Sequence, residues 1–236
     1  MGDLGATEWM AVGLSVRVAT WAVVLDLPLA IGLGWVIARR RVPGTRILDA
    51  LAHLPLVVPP VVTGYLLLIL FGHEGPVGAW LESWFGVSLA FHWSGAVLAS
   101  MVMAFPLVMR PIRLSFDAVD ARLESAAKTL GASRMVVFAT VSLPLAAPGL
   151  LAGALLGFAR ALGEFGATIT FVSNIEGATQ TLPMAVYTAL QVPGAEDVAL
   201  RLSVIAIGIA LVALFAADWC ATRLRALVAH QAEGTT

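Results

Sequence analysis

Glu124-Ser-Ala-Ala-Lys-Thr-Leu-Gly-Ala-Ser133 is a short polar run of mostly helix-forming residues, and it lies between two long apolar segments of the chain. Val141-Ser-Leu-Pro144 follows it and leads into the next apolar segment. A chain this apolar usually keeps the connections between its segments short. A connection that carries its own helix therefore predicts a contact with another molecule.

The composition of the 236 residues is that of a membrane protein. It is 59% hydrophobic and 12% charged, with a mean hydropathy of +0.91, whereas soluble domains carry about 25% charged residues. A helix needs roughly 20 apolar residues to cross a bilayer. We therefore expect an all-α polytopic membrane protein with about five spans, at residues 10–38, 54–71, 93–109, 144–171 and 202–221. The apolar piece 182–192 is too short to span and is interpreted as re-entrant or interfacial.

The positions of the basic residues predict the orientation. All but Arg17, Arg160 and Arg201 of the 14 lie after the first span (Arg39, Arg40, Arg41, Arg46), between the third and fourth, or after the fifth. Cytoplasmic loops carry such an excess, so the N-terminus is predicted outside and the C-terminus inside. We expect an outer segment 1–9, a membrane domain 10–224 with a cytoplasmic loop 116–142, and a cytoplasmic tail 225–236. The acidic start lacks the basic region of a signal peptide, so the first apolar segment is expected to remain as a span.

The sequence carries no motif for catalysis or for binding ATP. It has no GxxxxGK[ST] phosphate loop and no HExxH, CxxC or GxSxG. The four histidines lack metal-ligand spacing, and the single Cys220 excludes a disulfide framework. We expect no catalytic residue, no metal, no cofactor and no nucleic-acid partner, so the energy for any transport comes from another chain.

Prolines interrupt the second predicted span. Pro55, Pro59 and Pro60 lie close to Thr63 and Gly64, and proline removes a backbone donor and kinks a helix. Carbonyls freed at membrane depth are tolerated only inside protein or along a cavity. The kink suits the wall of a transport pathway, with a purely structural kink as the alternative.

Two charged residues lie within the fourth predicted span, one helical turn apart. Intramembrane charges are costly and are usually paired or functional. Arg160 and Glu164 are therefore either a pair that neutralises itself or a polar element of a pathway or gate. An unbroken helix places Glu164 roughly 30 Å from Pro144, unless it breaks at Gly163 or Gly166. The candidate pathway residues are Pro59, Pro60, Thr63, Arg160, Gly163, Glu164, Phe165, Gly166 and Thr168.

Gly149, Gly153 and Gly157 share one face of the same span. Small residues at this spacing let two helix backbones approach closely. The pattern predicts packing within the chain, with a seam between two copies as the alternative.

The polar run itself predicts a short amphipathic helix. Leu123, Ala126, Ala127 and Leu130 recur at i, i+3, i+4 and i+7, and Gly131 is a natural stop. Such a helix can dock into a groove of another protein or rest on lipid. The alanines on its apolar face favour docking.

The spacing of these residues resembles the EAA signature of binding-protein-dependent ABC importer permeases, in which EAA is followed by three residues, Gly, nine residues and Ile-x-Leu-Pro. Here Ser125 replaces the glutamate, Glu124 stands one position earlier, and Val141 replaces isoleucine. The resemblance implies a type I importer fold and a coupling helix in a cleft of the ATPase subunit. It leaves open whether Glu124 or Ser125 makes the polar contact. The implied docking residues are Glu124, Ser125, Ala126, Ala127, Leu130, Gly131, Ala132, Leu143 and Pro144.

The resemblance extends along most of the chain. Residues 53–65, 158–170 and 171–175 are similar to the permeases of molybdate importers. This implies a homodimer in the bacterial inner membrane, two ATPase subunits below it and a periplasmic molybdate-binding protein outside. A sulfate, thiosulfate or tungstate permease is the alternative within transport. A membrane-embedded interaction protein is the alternative outside it.

Overall fold

The computed structural model describes residues 5–39 and 44–233, and the regular structure in these ranges is helical. Arg40, Arg41, the first four residues of the predicted segment 1–9 and the last three of the tail 225–236 lie outside the described residues. A 3₁₀ turn (Leu54–Leu56) follows the second helix and a π-helical turn (Phe138–Ser142) joins the seventh to the eighth. The helices are α1 Ala6–Ala38, α2 Thr45–His53, α3 Pro60–Phe71, α4 Pro76–Phe85, α5 Trp93–Ala118, α6 Ala121–Thr129, α7 Arg134–Val137, α8 Leu143–Leu162, α9 Gly166–Val172, α10 Leu182–Gln191 and α11 Glu196–Glu233.

Four helical stretches of the described chain are long and apolar enough to cross a membrane. They are Ala6–Ala38, Trp93–Ala118, Arg134–Leu162 and Glu196–Ala216, and a bent pair, Thr45–Leu56 with Pro60–Phe71, makes up to five. At about 1.5 Å per residue, each of the four matches or exceeds the roughly 30 Å hydrocarbon layer. The predicted all-helical membrane fold with about five spans is confirmed.

The second span is bent where the sequence places its prolines. The two helices of the pair meet at 110°, and Pro59 is extended with ψ 136° before Pro60 begins α3. Proline disfavours the helical conformation in the residue before it and supplies no N–H. The predicted kink is confirmed: the helix is interrupted between Leu56 and Pro60, and α3 has 12 residues.

The fourth span begins earlier and ends earlier than predicted. It is continuous from Arg134 through the π-helical turn to Leu162, so its helix starts well before Pro144. Gly163 ends it, and Phe165, with φ −131°, precedes the separate helix α9. A helix that is unbroken over 144–171 is therefore wrong, and the break lies at Gly163, one of the two positions that the sequence left open.

The central helix is α5, which packs against both α1 and α8. The three glycines of α8 face it. A Cβ at Gly149 would lie 2.5 Å from the Pro111 carbonyl oxygen, and one at Gly153 would lie 2.5 Å from that of Val108. Only glycine permits this approach of the two backbones. The prediction that the three glycines pack within the chain is therefore confirmed.

The short piece after α9 is a packed helix. In α10, Leu182 and Ala185 are buried in one apolar cluster with Val12 of α1 and Leu202 of α11. The Leu182 N–H also donates to the Ser15 hydroxyl of α1 (2.6 Å). Its ten residues are too few to span by themselves, and they are held against two longer helices.

Candidate coupling helix and transport pathway

Capping residues in the local sequence terminate α6 at both ends. The Asp120 carboxylate accepts from the Arg122 N–H (2.8 Å) and caps the first turn. At the other end, Ala132 N–H donates to the Ala127 carbonyl and Gly131 N–H to the Lys128 carbonyl, the two bonds of a Schellman motif. Gly131 has φ +86°, a conformation that glycine adopts without strain.

The Glu124 side chain points into the protein. It is 4% exposed, and its Oε1 accepts from Arg39 Nε (3.1 Å), from Arg39 Nη2 and from the Ser142 hydroxyl (2.6 Å). Burial raises the pKa of this carboxyl, but the bonds from Ser142 and Arg39 and the charges of Arg39 and Lys128 outweigh burial and lower it. Glu124 is therefore ionised at neutral pH and bound within the chain.

The opposite side of α6 is open and partly apolar. Leu123 is 50% exposed, Leu130 is 89% exposed, and Met135 at the start of α7 is 74% exposed. Ser125 is also exposed, and its hydroxyl donates only to the Ala121 carbonyl of its own helix (2.9 Å). This exposed side, which the distribution of basic residues predicts to be cytoplasmic, is called the cytoplasmic face below, and consists of Leu123, Ser125, Ala126, Leu130 and Met135.

The remaining predicted docking residues differ in how exposed they are. Gly131 and Pro144 are exposed, whereas Ala127, Ala132 and Leu143 are half-buried. Leu143 and Pro144 lie in the first turn of α8, whereas the other seven predicted residues lie in α6 and the turn after it, and of these Glu124 alone is buried. Sequence reasoning missed Arg39 and Ser142 as its partners, because 85 residues separate Arg39 from Glu124 and no local pattern links them.

Arg160 and Glu164 form the pair that their spacing suggests. Arg160 Nη1 lies 2.6 Å from Glu164 Oε2, and the Glu164 side chain is 2% exposed. The other oxygen, Oε1, accepts from the Ala167 N–H (2.9 Å) in the first turn of α9. Arg160 thus lies at the C-terminal end of α8 and Glu164 at the N-terminal end of α9, and both helix dipoles favour these charges.

The break after α8 is packed against the bent second span. A Cβ on Gly166 would lie 2.8 Å from Pro60 Cβ, and one on Gly64 would lie 2.9 Å from Ala167 Cα. Thr63 is buried beside this contact, while Pro59 and Gly163 are exposed. The sequence-predicted pathway residues therefore gather at one crossing of α3 and α9.

Polar groups continue from this crossing toward α10. The Asn174 side-chain amide donates to the Thr188 hydroxyl (2.8 Å), and the Gln180 amide donates to Asn174 Oδ1 (3.1 Å). Phe165 lies with its ring 5.2 Å from that of Tyr187. Gln180, Tyr187 and Thr188 were missed from sequence, because no local motif links them to Asn174 or Phe165.

Within the described residues, no group of three or more His, Cys, Asp or Glu side chains has the arrangement to hold a metal ion. Thr168 is buried, and its hydroxyl has no hydrogen-bond partner in the part of the chain that the structure describes. The chemistry that the crossing offers is therefore neutral hydrogen bonding beside one compensated ion pair.

Comparison with known proteins gives one family for most of the chain. The family described as "Binding-protein-dependent transport system inner membrane component" matches residues 30–226. The molybdenum transport system permease protein ModB of Escherichia coli (strain K12) is 53% identical over 214 residues, which are 91% of this chain and 93% of that protein. ModB of Haemophilus influenzae is 53% identical over 92% of this chain and 95% of its own length.

More distant proteins share the fold. The sulfate transport system permease protein CysT of E. coli is 37% identical over 159 residues, which are 67% of this chain and 57% of that protein. A crystal structure of a bacterial ABC transporter that imports alginate has a TM-score of 0.72 at 16% identity, over 93% of this chain and 80% of that one. The methionine ABC transporter MetNI, in inward-facing conformations, has a TM-score of 0.66 at 17% identity, over 92% and 94%.

Proposed function

This chain belongs to the family of binding-protein-dependent transport system inner membrane components, and on that premise we propose that it is the membrane-spanning subunit of an importer for molybdate in the bacterial inner membrane. The observation that carries the proposal is the 53% identity to two molybdenum permeases over more than nine-tenths of the chain. A transport subunit of this kind is not itself an enzyme.

The partners follow from what the chain has and lacks. It has no phosphate loop, so ATP is hydrolysed by two copies of an ATPase subunit, which bind the cytoplasmic face. Leu130 and Met135 are exposed there beside Gly131, an apolar surface of the kind that buries in a groove. A periplasmic molybdate-binding protein docks outside, and a second copy of the chain completes the pathway at a two-fold axis.

The proposed mechanism is alternating access. Closure of the ATPase dimer on ATP carries the coupling helix α6 with it, and the spans then switch between inward-open and outward-open arrangements as rigid bodies. The bend between α2 and α3 and the break between α8 and α9 divide two spans into shorter pieces. These pieces meet at the crossing of Pro60 with Gly166, where we locate the pathway and gate.

The polar groups near this crossing are neutral as a set, which suits the passage of an anion. A dianion is repelled by a free carboxylate and held back by a free guanidinium, but Arg160 and Glu164 neutralise each other at 2.6 Å. Asn174 and Thr188 offer uncharged polar groups. Molybdate is therefore released by the binding protein into a cavity that does not retain it.

Reconstitution tests the proposal. The chain, an ATPase subunit and a molybdate-binding protein encoded beside it are assembled in proteoliposomes, and ATP-dependent uptake of molybdate is measured with sulfate and tungstate as competitors. We expect a complex that imports molybdate and is not inhibited by excess sulfate. Sulfate uptake would assign the rival substrate, and failure of the ATPase to co-purify would point to an interaction protein without a pathway.

Gly131 tests the docking assignment separately. We expect Gly131→Leu to uncouple ATP hydrolysis from uptake while the protein remains in the membrane, because the left-handed conformation that ends α6 costs a non-glycine residue about 1–2 kcal/mol. Gly194→Leu is the matched control, since Gly194 has the same φ of +86° and both glycines have open space where a Cβ would stand. Normal coupled transport by Gly131→Leu would refute docking through this loop.

A further inference from the structure

Glu124 is unusual for a residue in a docking helix, because its functional group faces the protein. All three of its hydrogen bonds converge on Oε1, and two of them come from one guanidinium. The adjacent Ser125 is exposed but engages only its own helix. A partner that binds the cytoplasmic face therefore reaches Ser125 and does not reach the Glu124 carboxylate.

The donors to Glu124 come from distant parts of the chain. Arg39 follows the last residue of α1, and Ser142 is the last residue of the π-helical turn before α8. Arg39 also donates through Nη1 to the Phe116 carbonyl near the end of α5 (3.2 Å). Four elements, α1, α5, α6 and the start of α8, therefore meet at one carboxylate and one guanidinium.

The surroundings make this junction stiff. Next to it, the Phe138 ring packs edge-on to Trp35 at 5.2 Å and stacks with Phe116 at 6.1 Å. The π-helical turn places Ser142 where its hydroxyl reaches Glu124, and such turns recur at functional sites. Charge-assisted bonds in a buried setting are shorter and stronger than neutral ones, and removing one partner leaves the other buried and unsatisfied.

From this geometry we propose that Arg39, Glu124 and Ser142 form a clamp that makes α6 move as one body with the cytoplasmic ends of α1 and α5 and the start of α8. Glu124 is then a positioning residue, which transmits the motion of the ATPase to the spans and does not itself bind the ATPase. This inference rests on the proposed function. It also gives a role to the glutamate one position before the EAA glutamate, because residue 124 lies on the side of the helix that faces the spans.

The test uses the complete importer in proteoliposomes, with molybdate as the substrate. Three quantities are measured: co-purification of the ATPase, ATP hydrolysis, and molybdate imported per ATP hydrolysed. For Glu124→Gln we expect unchanged co-purification and retained hydrolysis, with import per ATP reduced about tenfold, the size of a typical coupling effect, because the neutral amide still accepts hydrogen bonds but loses the charge-assisted attraction for Arg39. Ser142→Ala removes one bond only and is expected to reduce the ratio less.

Two further variants distinguish loss of the clamp from a general destabilisation of the protein. Arg39→Gln combined with Glu124→Gln is expected to be no worse than either alone, because residues of one network are not additive. Ser203→Ala is the matched control for Ser142→Ala, since the Ser203 hydroxyl donates only within its own helix, to the Ala199 carbonyl (2.7 Å). We expect this control to have the wild-type ratio.

Several results would overturn the clamp. Loss of the ATPase from Glu124→Gln preparations would make Glu124 a docking residue, and a wild-type ratio in both Glu124→Gln and Ser142→Ala would remove its role in transmission. If Glu124→Gln does not fold, Ser142→Ala decides alone. Failure of the proposed function is distinguishable, because the wild-type complex would then not form or would not import molybdate.

Discussion

At the scale of single residues, Asp26 is a buried ionisable side chain with an unpaired oxygen in the part of the chain that the structure describes. It is 1% exposed in the middle of α1, and its Oδ2 has no hydrogen-bond partner among the residues that the structure describes. A buried ionisable group without a partner destabilises a protein. We expect Asp26→Asn to raise the free energy of unfolding by about 1 kcal/mol, seen as a higher melting temperature in detergent.

The control for Asp26 is an aspartate with partners. Asp49 of α2 lies 2.5 Å from Arg113 Nη1 of α5, so Asp49→Asn is expected to lower the melting temperature. If Asp26→Asn lowered it by as much, Asp26 would have a structural or functional partner of its own.

Two variants of the Arg160–Glu164 ion pair are expected to differ in melting temperature. Glu164→Gln keeps an oxygen that can accept from the Ala167 N–H but loses the ion pair. The swap Arg160→Glu with Glu164→Arg keeps opposite charges but puts a cation at the start of α9 and an anion at the end of α8, against both helix dipoles. We therefore expect the swap to melt below Glu164→Gln, and Glu164→Gln to melt below wild type.

Uptake of molybdate by the same variants separates structure from transport. Loss of uptake by a variant that melts near the wild-type temperature would assign the pair to the pathway. A swap that is as stable as wild type would show that simple pairing at i, i+4 is sufficient and that the cap on α9 contributes nothing.

At the scale of helices, the packing of α8 on α5 makes the sharpest prediction. Gly153→Ala places a methyl group 2.5 Å from the Val108 carbonyl oxygen, and overpacking of this kind costs about 1–3 kcal/mol. Gly208→Ala in α11 is the matched control, because no atom lies within 4 Å of the position that its Cβ would take. There we expect a gain of about 0.4–1 kcal/mol from the less flexible unfolded chain. Equal melting temperatures for the two variants would contradict the close approach of α5 and α8.

The helices also show which features of the fold could be predicted from the sequence and which could not. Long apolar runs predicted the spans and the prolines predicted the bend in the second, because both depend on local chemistry. The end of α8 was left open between an unbroken helix and a break at Gly163 or Gly166, since Gly163 does not by itself stop a helix and the break is stabilised by Glu164, which caps α9. The direction of Glu124 was unpredictable for a similar reason, as its guanidinium partner lies at the end of another span.

At the scale of the whole molecule, the two ends of the bundle differ in charge. One end has Arg39 with Glu124 and Arg113 with Asp49, near most of the basic residues. The other has the acidic residues Glu176 and Glu196, together with a contact of Glu8 with Arg201 at 3.6 Å. Because positive charge favours the cytoplasmic side, we expect α6 inside and the loop between α9 and α10 outside.

Thiol labelling tests this orientation, since Cys220 is the one cysteine of the sequence and its replacement by serine gives a clean background. Ser125→Cys on the cytoplasmic face and Glu176→Cys on the opposite loop both place an exposed thiol at the end of the bundle to be tested. A membrane-impermeant maleimide added to intact spheroplasts is expected to label the cysteine at 176 at once, and the cysteine at 125 only after permeabilisation. Phe116→Cys, fully buried, is the control that stays unlabelled in both conditions. The reverse order would invert the topology and place α6 where no ATPase can reach it, so the coupling assignment and the clamp would fail together.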